Sequence, residues 1–292
     1  MTKQRRLREL IGRNRLLVVP STYDPLLAKC IERAGFEAIY MAGSGVHNSV
    51  LGVPDLGMVT FPEMLERARL LADVTSLPLL ADAEDGFGAP LDIMRTVREY
   101  ERAGIAAVQI EDLARPKRPW DPKRIISRDR MLGHLKAALD ARVDADLVVI
   151  ARTDACAAVG LEEGIERGLA YAELGADVIQ VVTPRSLEDL RAYPRAVRHP
   201  LMCNMQDPVL PLDVPAREVE AMGYRIAAHA TALSKFVVKQ AMEFLTTLQR
   251  EGSLGFALDR MCTPGEWREF FQTEKYRALE QRYLASERQP LA

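Results

Sequence analysis

A recurring phrase in the sequence limits the possible folds: a helical segment ends, one glycine follows, and an apolar strand begins. A glycine fits the left-handed conformation with which many helices end before the chain re-enters a sheet. A chain that alternates helices and strands in this way is typical of an α/β fold with a parallel sheet. The phrase occurs at Arg33-Ala34-Gly35, Arg102-Ala103-Gly104, Glu173-Leu174-Gly175 and Ala221-Met222-Gly223.

Apolar runs typical of buried strands occur eight times, and segments with helical spacing separate them. This count predicts a (β/α)8 TIM barrel. A doubly wound open sheet is the alternative, but no GxGxxG motif follows the first strand. The predicted strands are Leu16–Pro20, Glu37–Met41, Leu77–Asp82, Ala106–Glu111, Leu147–Arg152, Asp177–Val182, Pro200–Asn204 and Tyr224–Ala228.

Length and charge exclude several functional classes. The 292 residues, of which 48% are hydrophobic, supply ample core for a barrel over residues 1–252, and a helical tail would follow over residues 253–292. A net charge of −2 gives no basic footprint for nucleic acid or for an anionic membrane. No apolar run suits a signal peptide or a membrane span, so we expect a cytoplasmic protein. The four cysteines lack CxxC spacing, which disfavours a zinc site.

The third predicted strand ends in an acidic cluster, where an apolar run gives way to Asp82, Glu84 and Asp85. Carboxylates this close repel one another and stay ionised together only if a cation or water lies among them. We therefore predict a site for Mg²⁺ or Mn²⁺, to which Glu111 at the end of the fourth strand also contributes. A solvated acidic turn is the alternative.

Polar residues also follow the other predicted strands, at the end of a TIM barrel where catalysis takes place. Arg152 offers a bidentate fork for a substrate carboxylate, and Asn204 can hydrogen-bond a substrate oxygen. Ser44 and the Gly45 N–H can donate to a second carboxylate or to an oxyanion. A divalent cation beside a 2-oxo or 2-hydroxy acid stabilises an enolate. The residues thus predict metal-assisted cleavage of a bond next to the carbonyl carbon of a small anionic acid.

Structural roles remain open for several of these residues. Tyr23 can serve in packing, Ser44 and Asn204 can satisfy loop backbone groups, and His229 can be a hydrogen-bonded core histidine. For His47 a structural role is the preferred interpretation.

The sequence resembles the isocitrate lyase/phosphoenolpyruvate mutase superfamily over about Leu16–Gly252. The resemblance implies a TIM barrel whose last helix is swapped between subunits of a homo-oligomer, a dimer of dimers. It also implies Mg²⁺ at Asp82, Glu84 and Glu111, with Asp55 nearby. The matching pieces are Pro20-Ser21-Thr22-Tyr23-Asp24, Met41-Ala42-Gly43-Ser44-Gly45, Leu51-Gly52-Val53-Pro54-Asp55, Asp82–Gly88, Gln109-Ile110-Glu111-Asp112, Ile150-Ala151-Arg152-Thr153-Asp154 and Cys203-Asn204-Met205.

The same resemblance implies carboxylate recognition by Ser44, Gly45 and Arg152, and a mobile gate at Leu113–Ile126 over the site. The candidate catalytic residues are then Tyr23, Asp55, Arg152 and His229. The candidate metal ligands are Asp82, Glu84, Glu111 and Asp85.

Two segments depart from the family pattern. Asp82-Ala83-Glu84-Asp85-Gly86 stands where Asp-x-Asp-Thr-Gly is usual, so Glu84 extends its carboxylate by one methylene and Asp85 adds a charge. The gate reads Lys117-Arg118-Pro119-Trp120-Asp121. In the cleaving lyases this stretch is Lys-Arg-Cys-Gly-His, and its cysteine gives a proton to the enolate product.

Decarboxylation needs enolate stabilisation but no thiol acid, so a gate without cysteine favours it. His229 ends the eighth strand, where the oxaloacetate decarboxylase branch resembles this chain with a histidine, which would lie beside the substrate. We therefore favour a Mg²⁺-dependent lyase that decarboxylates an oxaloacetate-like dicarboxylate through a pyruvate enolate. The alternatives are retro-aldol cleavage of a 2-alkylmalate or methylisocitrate-like acid, P–C bond chemistry of the phosphonopyruvate or carboxyphosphonoenolpyruvate type, and a non-catalytic carboxylate-binding barrel.

Overall fold

Eight parallel strands form one sheet in the order β1-β8-β7-β6-β5-β4-β3-β2 in the computed structural model. It describes residues 1–182, 186–205 and 214–284. A parallel bridge between Ser21 and Tyr40 joins the two ends of the sheet, so the predicted TIM barrel is nearly closed. The strands are β1 (Leu17–Pro20), β2 (Ile39–Met41), β3 (Leu79–Asp82), β4 (Ala107–Glu111), β5 (Val148–Thr153), β6 (Val178–Val181), β7 (Leu201–Asn204) and β8 (Ile226–His229).

Helices connect the strands, and the four glycines of the recurring phrase have φ angles of 85°, 80°, 105° and 107°, as predicted. Helix α1, which precedes the barrel, was not predicted. The helices are α1 (Lys3–Gly12), α2 (Pro25–Arg33), α3 (Gly43–Val46), α4 (Phe61–Val74), α5 (Pro90–Arg102), α6 (Arg128–Ala141), α7 (Ala155–Ala158), α8 (Leu161–Leu174), α9 (Leu187–Ala196), α10 (Ala216–Met222), α11 (Ala232–Glu251), α12 (Pro264–Phe270) and α13 (Thr273–Leu284).

Alternation along the strands divides the core into two clusters, because successive strand residues face opposite sides of the sheet. The inner cluster fills the barrel and includes Leu80 of β3, Ile150 of β5 and Ala228 of β8. The outer cluster lies between the sheet and the helices. Helix α1 contributes Leu7, Leu10 and Ile11 to the inner cluster.

Helix α1 closes the amino-terminal end of the barrel. Its Arg8 donates to the carbonyls of Asp146 and Leu147, each at 3.0 Å, just before β5. Arg8 also pairs with Asp177 at 2.9 Å, just before β6. The opposite end, where the strands finish, therefore remains for the candidate site.

The chain forms two compact units, Met1–Phe236 and Val237–Ala292. The first contains the barrel. In the second, the rings of Phe244 and Phe256 are 5.5 Å apart, and Arg260 donates to Gln240 at 3.0 Å. Division of the chain at residue 252 and swapping of the tail between subunits stay predictions. Within the described ranges, no helix has both the length and the apolar character that a membrane crossing requires.

Candidate active site

Four of the predicted site residues face the inside of the barrel at its carboxyl-terminal rim. Asp82, Arg152 and Asn204 each lie two positions beyond a residue of the inner cluster, namely Leu80, Ile150 and Met202. Glu111 lies four positions beyond Ala107 of the same cluster and pairs in register with Arg152. An even spacing keeps a residue on the same face of a strand, so the four side chains point to the barrel axis.

The loop after β3 is a tight turn that directs Glu84 inward. Glu84 has a φ of 54°, and Gly86 and Phe87 follow with φ angles of 87° and 63°. The Asp82 carboxylate accepts hydrogen bonds from Glu84 N at 2.8 Å and from Gly43 N at 3.1 Å. A Cβ on Gly43 would collide with the Glu84 carboxylate, so this glycine lets the loops after β2 and β3 meet.

Glu84 and Glu111 are fully buried acids. Among the described residues, no donor is aligned for a hydrogen bond to any of their four carboxylate oxygens. Burial raises the pKa of Glu84 to about 8 and also raises the pKa of Glu111. Buried carboxylates without donors need a nearby positive charge to stay ionised.

A lysine of the gate supplies that charge. Lys117 Nζ pairs with Glu84, with Glu111 Oε1 at 2.7 Å and with Asp55 Oδ2 at 3.6 Å. Burial alone would lower the pKa of Lys117, but the carboxylates of Glu111 and Glu84 outweigh it and raise the pKa well above its usual value. Burial alone would raise the pKa of Asp55, but Lys117, together with His47, Arg152 and the Gly57 N–H, outweighs it and lowers that pKa.

These residues fit a divalent cation. The buried carboxylates of Glu84 and Glu111 already surround a positive charge, and Asp82 adds a third carboxylate at the same rim. Carboxylate oxygens are the ligands that hard cations such as Mg²⁺ prefer. The donor set therefore suits a hard divalent cation.

His47 lies near this cluster but is engaged by the backbone. One potential ligand atom from each of His47, Asp55 and Glu84 lies within 4.8 Å of the others. However, His47 Nε2 accepts from Met58 N and Val59 N, at 3.0 and 3.2 Å. The proton is thereby assigned to Nδ1, which donates to the Gly43 carbonyl at 2.8 Å. Neither nitrogen keeps a free lone pair, so we assign His47 a structural role.

Asp85 lies closest to Arg115 of the gate, whereas Glu84 lies closest to Lys117. Asp85 Oδ1 lies 2.9 Å from Arg115 Nε and accepts from Phe87 N at 3.1 Å. Among the described residues, the ion pairs of Lys117 involve Asp55, Glu84 and Glu111 but not Asp85. The turn therefore places Asp85 nearest to Arg115 and Glu84 nearest to Lys117, while Arg115 Nη2 also lies 3.7 Å from Glu84 Oε2.

Arg152 is fixed in place by acids on both sides. Its Nε donates to Asp154 Oδ2 at 2.9 Å, and its Nη1 lies 3.0 Å from Glu111 Oε2. Asp154 is buried and also pairs with Lys123. Burial alone would raise the pKa of Asp154, but Arg152 and Lys123 hold it well below its usual value. The guanidinium is thus oriented before any ligand arrives.

A buried network supports Asp154 from behind. Asp112 Oδ1 accepts from Asp154 N at 2.9 Å. The other oxygen of Asp112 accepts from Thr153 Oγ1 at 2.7 Å, from Arg167 at 3.0 Å and from Tyr171 at 3.1 Å. This network connects the orientation of Arg152 to the packing of α8.

The remaining predicted residues occupy varied positions. Tyr23 packs against Gly45, since a Cβ on Gly45 would lie 3.4 Å from Tyr23 Cβ. The Gly45 N–H donates to the Ala42 carbonyl at 3.1 Å, so this donor is already used. Ser44 is half-buried beside it. His229 follows Ala228 of the inner cluster by one residue, so alternation turns it away from the barrel axis.

The gate, Leu113–Ile126, folds over the rim. Leu113 and Ile125 form an antiparallel bridge at its base, where Ala114 N donates to the Arg124 carbonyl at 2.8 Å. The gate and two residues of the rim, Asp55 and Arg152, enclose a cavity of about 220 Å³. This is smaller than the roughly 300–1,000 Å³ of drug-sized ligand sites. Lys117, Arg118, Lys123 and Arg124 also line it, so it suits a small anion.

Sequence reasoning missed the gate cations that pair with the rim, namely Arg115, Lys117 and Lys123. A signal was present, because the gate contains five basic residues, whereas the predicted strand ends carry mostly acids. The pairing of these cations with the acids depends on how the gate folds. The gate sequence has no hydrophobic periodicity, so its fold cannot be predicted from the sequence.

Comparison with known proteins gives concordant matches. Residues 7–248 match the family described as phosphoenolpyruvate phosphomutase. A 2,3-dimethylmalate lyase from Eubacterium barkeri is 37% identical over 97% of this chain and 99% of its own. An oxaloacetate acetylhydrolase, solved with the inhibitor 3,3-difluorooxalacetate, is 32% identical over 99% of both chains, with a TM-score of 0.88. A phosphonopyruvate hydrolase, solved with oxalate and Mg²⁺, is 30% identical over 97% of this chain and 100% of its own, also with a TM-score of 0.88.

Proposed function

The chain belongs to the phosphoenolpyruvate phosphomutase family, and from that premise we propose that it decarboxylates a small 2-oxo dicarboxylate of the oxaloacetate type with the help of Mg²⁺. It is an enzyme, a lyase of the isocitrate lyase/phosphoenolpyruvate mutase superfamily.

The observation that carries it is a cationic cavity next to buried carboxylates. Arg152 borders the cavity and pairs with Glu111, whose carboxylate also faces Lys117. An anionic substrate in this cavity would therefore be held by its carboxylate and would lie next to the cation-binding acids. That arrangement suits a reaction in which negative charge moves from a carboxylate to a neighbouring oxygen.

Each group has a distinct task in the proposed reaction. Arg152 binds and orients a substrate carboxylate, since Asp154 and Glu111 fix its guanidinium. Asp82, Glu84 and Glu111 would hold a divalent cation, which stabilises the enolate oxygen that forms as CO₂ departs. The gate excludes bulk water, and Asp55, whose pKa is lowered, contributes an ionised carboxylate to the wall of the cavity.

Decarboxylation is favoured over chemistry that needs a thiol acid. The gate contains no cysteine. Cys156 and Cys203 are buried, and burial raises the pKa of Cys203 to about 12. Such a thiol is a poor proton donor at neutral pH. When the 4-carboxylate of an oxaloacetate-type acid leaves as CO₂, the electron pair of the C3–C4 bond passes to the 2-oxo oxygen and leaves an enolate. Water can protonate this enolate at C3, so no thiol is required.

A second candidate is retro-aldol cleavage of a 2-alkylmalate. The 37% identity with the 2,3-dimethylmalate lyase of E. barkeri over nearly the whole of both chains favours it. This reaction would yield pyruvate and a second acid, and a group other than a gate cysteine would protonate the second product. His229 has no task in either candidate, because alternation turns it away from the barrel axis.

A proton NMR time course distinguishes the candidates. Purified protein with Mg²⁺ is offered oxaloacetate, 2,3-dimethylmalate, methylisocitrate and phosphonopyruvate in parallel. We expect pyruvate from oxaloacetate at a rate above that of Mg²⁺ alone, abolished by EDTA and by Glu111→Gln but not by His229→Ala. Pyruvate with propionate from 2,3-dimethylmalate would instead establish the retro-aldol candidate. Turnover of phosphonopyruvate alone, or of none of the four acids, would refute both.

The tail supports the accompanying proposal of a homo-oligomer. Helices α11, α12 and α13 contain no buried residue. Met242, Trp267 and Tyr283 are exposed by 59%, 53% and 70%. Apolar surface of this extent is typical of a subunit interface. Sedimentation at micromolar concentration tests this, because a monomer would contradict it.

A further inference from the structure

We propose that Asp85 and Arg115 form a latch that holds the gate over the site, and that Asp85 is a positioning residue and not a metal ligand. The inference concerns the site of the proposed function and rests on it for its consequence in catalysis. Its test needs no substrate, so it can fail while the proposed reaction stands, or hold while the proposed reaction fails.

Arg115 contacts two separate segments of the rim. Its Nε lies 2.9 Å from Asp85 Oδ1, and its Nη1 donates to the Gly57 carbonyl at 2.9 Å. Its guanidinium carbon lies 5.3 Å from the centroid of the Phe87 ring, within the range of a cation–π contact. The guanidinium also approaches Glu84 Oε2, at 3.7 Å. A single gate residue thus bridges the loop after β3 and the segment that carries Asp55.

The loop after β3 is shaped to receive Arg115. The left-handed residues Glu84, Gly86 and Phe87 wind it tightly, and Asp85 Oδ1 accepts from Phe87 N at 3.1 Å. This hydrogen bond holds the Asp85 carboxylate beside the Phe87 ring, and Arg115 contacts both groups. A Cβ on Gly86 would collide with Ile93 of α5, so the turn requires glycine at this position.

The latch matters because Lys117 cannot hold the gate when a metal is bound. Lys117 Nζ lies among Glu84, Glu111 and Asp55, which are the carboxylates that suit a divalent cation. Two positive groups cannot share this small volume, so metal binding displaces the ammonium. Asp85 lies outside the set that surrounds Lys117, and its pair with Arg115 is compatible with either occupant.

The gate is also attached to the rim by a second ion pair, which does not involve Asp85 or Arg115. Lys123, on the other arm of the gate, pairs with Asp154, which also binds Arg152. Changes at Lys123 would disturb the orientation of Arg152, whereas changes at Asp85 and Arg115 leave the contacts of Arg152 intact. The latch can therefore be removed without removing the group that we propose to bind the substrate.

The test is a double-mutant cycle on gate opening. Chymotrypsin cleavage after Trp120 of the gate is followed by mass spectrometry in the wild type, Asp85→Asn, Arg115→Gln and the double variant. None of these substitutions alters the cleaved bond. We expect cleavage about fivefold faster in each single variant, and no faster in the double variant than in the singles. Arg128→Gln removes an exposed ion pair with Glu166 and serves as the matched control, with unchanged cleavage.

Mn²⁺ affinity, measured by electron paramagnetic resonance, provides the second readout. We expect Asp85→Asn to bind Mn²⁺ within about twofold of the wild type, and Glu84→Gln to bind it at least about tenfold more weakly. Equal losses of Mn²⁺ affinity in the two variants would make Asp85 a ligand and overturn the proposal. Multiplicative effects of the two latch substitutions on cleavage would overturn it as well.

Discussion

The two ends of the barrel are closed by different kinds of contact. At the amino-terminal end, α1 inserts Leu7, Leu10 and Ile11 into the inner core. At the carboxyl-terminal end, the gate meets the rim through ion pairs from Arg115, Lys117 and Lys123. Helix α1 and the gate, the two covers of the barrel, both shield it from water. Only the gate is held by groups that a ligand can replace.

The difference follows from the physics of the two contacts. Apolar burial is non-directional and insensitive to salt, so the amino-terminal cover contributes chiefly to stability. A buried ion pair needs excellent geometry to offset desolvation, and a competing cation or anion can take the place of either partner. The barrel thus separates stability and function between its ends, as TIM barrels generally do.

The largest expected effect comes from removing a buried acid at the rim. Glu111→Gln should lower kcat/KM on the order of 10³-fold, since a bound Lewis acid supplies several kcal/mol of charge stabilisation. Its thermal stability should not fall, because the wild type must bury an acid whose pKa is raised. Steady-state kinetics and calorimetry measure the two effects. Glu166→Gln on the exposed face of α8 is the control, and it should leave both unchanged.

The opposite pattern is expected at the other end. Leu7 is fully buried, so Leu7→Ala should cost about 2–5 kcal/mol of unfolding free energy, through lost burial and the cavity left behind. Urea unfolding measures that loss, and kcat/KM at 15 °C should stay within about twofold of the wild type. Leu26→Ala on α2, at a side chain 43% exposed, provides the control for a surface truncation. A large fall in kcat/KM without a loss of stability would erase the contrast between the ends.

The regular parts of the barrel were accessible from the sequence. Apolar runs and recurring glycines predicted the strands and their parallel order. Alternation then brings Asp82, Glu111, Arg152 and Asn204 to one rim, because strand residues at even spacing share a face. The same rule, applied to the exact end of β8, would have turned His229 away from the barrel axis.

The irregular parts were not accessible in the same way. Glu84 and Asp85 are adjacent, yet their nearest cations differ, because a left-handed turn separates the directions of the two side chains. Glu84 pairs with Lys117, and the two residues are too far apart in the sequence for local propensity to predict the pair. Such pairs depend on how the gate folds back, and this in turn depends on contacts formed only in the finished barrel.

A smaller effect should appear in the pH dependence of stability. The folded-state pKa of Glu84, about 8, exceeds that of the unfolded chain, so the folded protein binds this proton more tightly. Stability in EDTA should therefore fall as pH rises from about 5 to 8, because ν_U − ν_N is negative in that window. Melting temperatures of the wild type and Glu84→Gln, compared across this range, isolate the contribution. A parallel course for the two proteins would contradict it, and saturating Mg²⁺ should flatten the wild-type curve.

The smallest effect concerns salt, and it compares the two covers directly. Arg115 and Lys123 are partly exposed, with side chains 28% and 36% accessible, so added salt should weaken their pairs with Asp85 and Asp154. Between 0.05 and 0.5 M NaCl, we expect chymotrypsin cleavage after Trp120 to accelerate about twofold to threefold. Cleavage after Leu10 in α1 should not accelerate, because apolar contacts hold that helix. Sucrose of matched osmolality, which does not screen charge, should accelerate neither. If salt released α1 as readily as the gate, the amino-terminal cover would also depend on charge, through Arg8 and its acidic partners.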